Sequence, residues 1–245
     1  MKAIVLAAGK GTRLQSEQFN MPKVLRRAND KPLLDYVLDG INFIPQEDTI
    51  IVVGYKKEDV IEWKAGGAYK FSVQDQQLGT GHAVLCAQDN LEGYTGDVLI
   101  VYGDMPLFKQ ATYKKAIEKH QSTGADITMV TAVSDDKLAY GRIVRDENGK
   151  FLKSVEEKDC TEEQKQIKEL NVGIYVIKWP VLHEKLKNLK TNNAQGEYYI
   201  TDVPIAITNE GGKVESYVLN NSNEIYGVNT VEDLELCEKL LKEEQ

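Results

Sequence analysis

Apolar and polar positions alternate along this chain with two periods, and the switches between them give an order of elements. Ala3–Ala8 is an unbroken run of small and β-branched residues, as a buried strand requires. Pro32–Phe43 places Leu33, Leu34, Val37, Leu38 and Ile41 at helical spacing behind an early proline, which predicts a helix. Ile50–Gly54, Tyr69–Gln74, Val98–Tyr102 and Ile127–Val133 read as further strands, and Glu58–Lys64, Gly81–Ala87 and Thr112–His120 as helices between them. Regular alternation of this kind predicts a parallel sheet covered by helices on both faces.

Beyond about residue 135 the pattern changes. Gly141–Arg145 and Phe151–Val155 flank the turn Glu147-Asn148-Gly149 as a hairpin would, so the sheet is expected to gain antiparallel members. Thr161–Lys168 reads as a charged helical excursion, Val172–Lys178 as a strand and Pro180–Leu189 as a helix. Thr191–Gly196 is a polar loop, Tyr199–Asn209 a helix, Lys213–Leu219 a strand, and Val231–Glu243 a terminal helix capped by Asn229 or Thr230. The expected fold is α/β: a Rossmann-like, mixed but mainly parallel central sheet with helices on both faces and a small antiparallel extension. No repeat or low-complexity linker interrupts residues 1–245, which predicts a single domain.

A glycine-rich, cationic loop gives this fold its first chemistry. The first strand runs directly into Leu6-Ala7-Ala8-Gly9-Lys10-Gly11-Thr12-Arg13, with Pro22-Lys23 following. Gly9 and Gly11 remove side chains where the backbone must approach a ligand, and backbone N–H groups there can face phosphate oxygens. Arg13 adds a forked cation and Lys23 a point charge, together suited to a nucleoside triphosphate. The spacing differs from a dinucleotide fingerprint, because Leu14 stands where the third glycine belongs and no acidic residue closes the second strand. It also lacks the Gly-Lys-Ser/Thr of a P-loop.

Other polar segments fall at strand ends, where open parallel sheets bind ligands. Gln74 and Gln77 offer amides able to read a base edge, beside Gly79, Thr80 and Gly81. Tyr102-Gly103-Asp104 puts a carboxylate past a buried strand, where Mg²⁺ could bridge protein and phosphate. Gly141, Glu156 and Asn171 present groups for sugar hydroxyls. His82, in a first helical turn, reads as a packing or hydrogen-bonding residue rather than a base. His120 and His183 sit in charged helices and are expected to face solvent.

Composition narrows the partners. With 30 Lys+Arg against 38 Asp+Glu, a net charge of -8 leaves no broad cationic surface for nucleic acid. Cys86, Cys160 and Cys237 are widely spread and form no zinc or disulfide pattern, which suits a reducing cytoplasm. No run is long enough for a signal sequence or membrane span.

The strings LAAGKGTR, PKVL, QLGTGHAV, YGDMPL, YGRIVR, EEKD, LNVGIYV, NNAQGEYYITD and GVN, in this order, resemble the uridylyltransferase half of bacterial N-acetylglucosamine-1-phosphate uridylyltransferases. The resemblance covers nearly the whole chain, and QLGTGHA with GEYYITD points to the amino-sugar branch of the sugar nucleotidyltransferases. It implies the nucleotide-diphospho-sugar transferase fold, with residues 1–135 as a nucleotide half, 136–230 as a sugar half and 231–245 as a C-terminal helix.

The resemblance also implies roles. Backbone from Leu6 through Ala7 and Ala8 to Gly9 would hold uridine, with Gly11 in the phosphate loop and Gln74 and Gln77 reading uracil. Gly79, Thr80, Tyr102 and Gly103 would line the nucleotide site. Asp104 and Asn229 would hold Mg²⁺, while Arg13 and Lys23 act with Asp104 in catalysis. Gly141, Glu156, Asn171, Glu197 and Tyr198 would form the sugar pocket. The substrates implied are UTP and an amino-sugar 1-phosphate, with no nucleic acid, membrane or oligomer called for. A different sugar 1-phosphate or base (glucose 1-phosphate, dTTP), or a non-catalytic nucleotide-sugar sensor, are the alternatives.

Three departures from the family are visible. Gln15–Met21 makes the loop between Arg13 and Lys23 longer than usual, and Val172 replaces the threonine expected after Asn171. The β-helix acetyltransferase half of the bifunctional enzymes is absent before Gln245.

Overall fold

The computed structural model describes residues 1–14, 20–220 and 222–243, so most of the long Gln15–Met21 loop lies outside the described residues. In chain order the elements are β1 (Lys2–Ala7), β2 (Arg27–Ala28), β3 (Lys31–Pro32), α1 (Leu33–Gly40), β4 (Thr49–Val53), α2 (Lys57–Trp63), β5 (Lys70–Val73) and α3 (Thr80–Leu85). They continue with β6 (Asp97–Tyr102), α4 (Gln110–Thr123), β7 (Ile127–Val133), β8 (Gly141–Arg145), β9 (Phe151–Val155) and β10 (Glu169–Lys178). The chain ends through α5 (Trp179–Leu186), α6 (Asp202–Asn209), β11 (Val214–Asn220) and α7 (Val231–Glu243).

The central sheet runs β11-β7-β10-β6-β1-β4-β5, with the β8–β9 hairpin joined to the start of β10. β1 lies parallel to both β4 and β6, and β11 parallel to β7, but β10 runs antiparallel to β6 and β7. The sheet is therefore mixed and mainly parallel with an antiparallel extension, as expected. Strand periodicity builds two cores at once. Ala3, Val5 and Ala7 of β1 pack among Leu34, Val37, Tyr113 and Ala116 from α1 and α4. Ile4 and Leu6 face the other way, toward Ala83, Val84, Leu182 and Leu186 from α3 and α5.

A third cluster joins Leu14, Ala28, Leu33, Leu107, Val228, Leu234 and Cys237. It fastens α7 across the β2–β3 ribbon and so carries the segment before α7 back to the N-terminal half. Burial raises the Cys237 thiol to about 12. Among the described residues no helix is long and apolar enough to cross a membrane.

Two expectations need correction. Thr161–Lys168 holds only the single 3₁₀ turn Gln164–Gln166, because Ile167 turns extended to feed β10, which starts at Glu169. His120 is buried, at 2 % exposure, and does not face solvent. It lies on the inner side of α4, with Nδ1 3.1 Å from the Thr128 hydroxyl and Nε2 3.5 Å from Asp97. His183 is half-buried and stacks on Trp179.

Burial lowers the His120 pKa below 6.5, against an opposing pull from Asp97. The neutral ring is thus favoured in the folded state, while the unfolded chain takes up a proton near 6.5. The stability this confers is complete above that pH and is lost as pH falls from 6.5 toward the lower folded value. Melting temperature should accordingly decline on acidification from pH ~7 to pH ~5, and His120→Gln should remove part of that decline. An unchanged slope in the variant would assign the acid sensitivity to other groups.

Candidate active site

The glycine loop leaves the carboxyl end of β1 and is held on both sides by backbone. The Gly103 amide donates to Leu6 O at 2.9 Å and the Tyr55 amide to Ala8 O at 3.2 Å. A single 3₁₀ turn, Thr12–Leu14, then buries Leu14 and leaves Arg13 exposed. Further on, Pro22 leads extended into the turn Lys23–Leu25, which buries Val24 and Leu25 and draws Lys23 inward to 8 % exposure.

Asp104 follows β6 in a turn closed by Met105 N donating to Tyr102 O at 3.2 Å. The Val228 amide donates to Asp104 O at 2.9 Å, which sets Asn229 beside it. Asp233 of α7 fixes that segment, accepting from the amides of Asn229 and Thr230 at 2.9 Å each, while Thr230 Oγ1 accepts from the Asp233 amide at 3.1 Å. This reciprocal box makes Thr230 the helix cap and leaves the Asn229 side chain to the site.

The result is a cluster drawn from three distant segments. Lys23 Nζ pairs with the Asp104 carboxylate and donates to Asn229 Oδ1 at 2.9 Å, and Arg13 Nη2 donates to the same oxygen at 3.3 Å. The cluster stands where two cavities meet. One, of about 310 Å³, is lined by Leu6 to Gly9, Gly11, Gln74, Gln77 and Glu197. The other, of about 250 Å³, is lined by Gly141, Glu156, Asn171 and Val172. Arg13, Thr80, Tyr102, Asp104 and Asn229 border both.

Gln74 is buried, and its amide nitrogen lies 3.0 Å from Gly79 O and 3.1 Å from His82 Nδ1. His82 thus holds Gln74, the hydrogen-bonding part expected of it. The Tyr102 ring fills the space beside Gly173, which lies in the β10 bulge at φ +83; a Cβ there would stand 2.7 Å from that ring. Burial holds the Tyr102 phenol protonated, its pKa well above the usual value.

On the second cavity, burial raises the Glu156 carboxyl pKa, offset by the Thr201 hydroxyl donating at 2.8 Å. Asn171 donates to Ser154 Oγ at 3.1 Å and accepts from the Gly173 amide and the Tyr175 hydroxyl, each at 3.1 Å. It therefore organises the bulge as well as facing the cavity.

Two predicted residues stand differently from the rest. Glu197, expected with the sugar group, lines the first cavity. Tyr198 acts through its backbone, donating to Leu78 O and accepting from the Gly81 amide at 2.8 Å each, so that it ties the two loops together. Gly103 serves through its bond to Leu6. Tyr140 and Thr201 also border the second cavity. Tyr140 donates to Ile225 O at 2.7 Å, and only its place before Gly141 signalled it in the sequence.

A carboxylate and a carboxamide oxygen already gathered around an ammonium form a donor set that suits Mg²⁺, which binds through one or two protein oxygens and completes its shell with phosphates and water. Among the described residues no group of three or more His, Cys, Asp or Glu forms an all-protein cage.

Fold and cavities define the class: an α/β protein with a cavity bordered by Arg13 and Lys23 at the carboxyl ends of parallel strands, beside a second, smaller cavity. The chain belongs to the nucleotidyl transferase family, whose sequence profile matches residues 2–233. It is 43 % identical over 240 residues to the bifunctional protein GlmU of Streptococcus gordonii and 42 % identical to that of Caldanaerobacter subterraneus, in each case over 98 % of this chain. The chain spans about half the length of these relatives, 51 % of each. These relatives bear out the resemblance read from the motifs. A crystal structure of UDP-glucose pyrophosphorylase complexed with UDP-glucose shares the fold, with a TM-score of 0.79 at 17 % identity over 100 % of this chain and 99 % of that one.

Proposed function

We propose that this chain transfers UMP from UTP to N-acetylglucosamine 1-phosphate, releasing pyrophosphate, with Mg²⁺ as its metal. The observation that carries the reading is the convergence of Arg13, Asp104 and Asn229 on the boundary of two cavities, with Lys23 of the first cavity bonded to Asp104 and Asn229. A nucleotide in the larger cavity and a sugar phosphate in the smaller would bring their phosphates together there. A non-catalytic sensor could use cations to bind phosphate but would not need the full set of Arg13, Lys23, Asp104 and Asn229.

The chemistry asks little of acids or bases. A phosphate monoester with a second pKa about 6 arrives mostly as the dianion, so its oxygen needs no general base to attack the α-phosphorus. The barrier lies in bringing two polyanions into line. Mg²⁺ held by Asp104 and Asn229 would supply charge neutralisation between the phosphates. Lys23 would stabilise charge at the α-phosphate or the sugar phosphate, and Arg13 would receive the departing pyrophosphate. Gln74 and Gln77 would read the base, while Glu156, Asn171 and Gly141 would take sugar hydroxyls. The three described cysteines are free, which fits our placing the reaction in the cytoplasm.

Pyrophosphate release is the direct test. It should require UTP, N-acetylglucosamine 1-phosphate and Mg²⁺ together, and EDTA should abolish it. Faster turnover with glucose 1-phosphate or with dTTP would reassign the sugar or the base. Tight UDP-sugar binding without any pyrophosphate would turn the reading to a sensor.

A further inference from the structure

Asn229 Oδ1 accepts from two cations at once, Lys23 at 2.9 Å and Arg13 at 3.3 Å, and Lys23 also pairs with Asp104. The two oxygens assigned to the metal are therefore spanned by the chain's own ammonium. The pair is shielded, with side-chain exposures of 10 % for Lys23 and 22 % for Asp104, so its attraction is stronger than at an open surface. A bare divalent ion reaching these oxygens must break the Lys23 pair and leave two cations beside a double positive charge, with no anion to receive them. An ion arriving with a triphosphate brings that anion.

We propose that Lys23 and Arg13 form a cation gate, which makes the site refuse free divalent metal and accept it only together with a polyphosphate. The exchange leaves every charge matched: Asp104 and Asn229 pass from the ammonium to the metal, and Lys23 and Arg13 pass to phosphate oxygens. Metal and nucleotide then bind with positive coupling, each raising the other's affinity by the same factor. The inference rests on the reading of Asp104 and Asn229 as metal oxygens, and it adds the order in which the site fills.

Mn²⁺, visible by electron paramagnetic resonance, serves as probe on the full chain with and without UTP, and no sugar phosphate is added. Wild-type protein should bind Mn²⁺ weakly alone and roughly 5–150-fold more tightly with UTP. Lys23→Ala should bind Mn²⁺ alone about tenfold more tightly than wild type and lose most of the UTP coupling, whereas Lys23→Arg should restore both behaviours. Lys10→Ala removes the same charge from an exposed position on the same loop and controls for the general field. Two results would overturn the gate: unchanged or weaker Mn²⁺ binding in Lys23→Ala, or equal tightening in Lys10→Ala. Should Asp104→Ala retain Mn²⁺ binding in the presence of UTP, the metal assignment itself is wrong and the gate falls with it.

Discussion

Lys23→Ala is expected to lower kcat by about two to three orders of magnitude, the loss typical of removing one preorganised charge stabiliser, while KM for UTP changes far less. The asymmetry follows from position. Lys23 lines the first cavity and is bonded to Asp104 and Asn229, two of the residues that border both cavities. Its charge then bears on phosphate groups whose charge rearranges in the transition state, and an interaction stronger there than in the ground state appears in kcat. Folding should survive, because Val24 and Leu25 anchor the turn independently of the ammonium. Circular dichroism and a melting curve would verify this before any rate is interpreted. Lys23→Arg should recover part of the rate, since the charge returns with a different shape. A kcat within tenfold of wild type in the alanine variant would remove Lys23 from the chemistry.

The convergence on Lys23 shows where sequence reading ends. β1, β4 and β6 are legible because a buried strand is written in its own residues, as in Ala3–Ala8, and α1 because its apolar spacing is local. Strand direction is not local. Val172–Lys178 could be read as a strand, but its reversal between β6 and β7, and its earlier start at Glu169, depend on partners such as Thr131, Val133 and Arg142. The pattern over Thr161–Lys168 misled because Thr161 and Gln164 satisfy each other's backbone amides, closing a short turn that needs no helix beyond it. His120 sits in a charged stretch, yet the face of α4 that carries it packs on β7, and charge density along a helix does not reveal which side is covered.

At the site, the glycine loop and Asp104 were legible from residue type and place. Asn229, 206 positions from Lys23, entered only through the family resemblance. Its position is set by the Val228 bond to Asp104 and by the Asp233 box, neither of which points to a phosphate. The tie between Leu78 and Tyr198 is made by backbone atoms and leaves almost no side-chain signature.

That tie leads to the other large effect. Gly79→Ala should lower kcat/KM by about a hundredfold or more and raise KM for both substrates. Gly79 sits at φ +108, and a Cβ there would stand 2.6 Å from Tyr198 O and 2.8 Å from Tyr198 N. That backbone, with ψ 175, lies in a region essentially reserved to glycine and costs an L residue roughly 1–3 kcal/mol. The steric conflict is with backbone, so relief requires the Glu197–Tyr198 segment to move away. Such movement breaks the paired bonds Tyr198 N to Leu78 O and Gly81 N to Tyr198 O, at about 1 kcal/mol each. It also withdraws the Ile200 amide from Thr80 Oγ1, now 3.1 Å apart, and Thr80 borders both cavities. The base loop and the loop leading to Thr201 and Glu156 would then no longer move as one, which is why both KM values should rise. Gly149→Ala supplies the control: it places a side chain on a positive-φ backbone, at φ +78, in the open β8–β9 turn, where a Cβ would meet nothing within 4 Å. It should lower the melting temperature without altering either KM. If Gly79→Ala raises KM for UTP alone, the two loops bind independently, and the backbone bonds between them stabilise the fold without coupling the cavities.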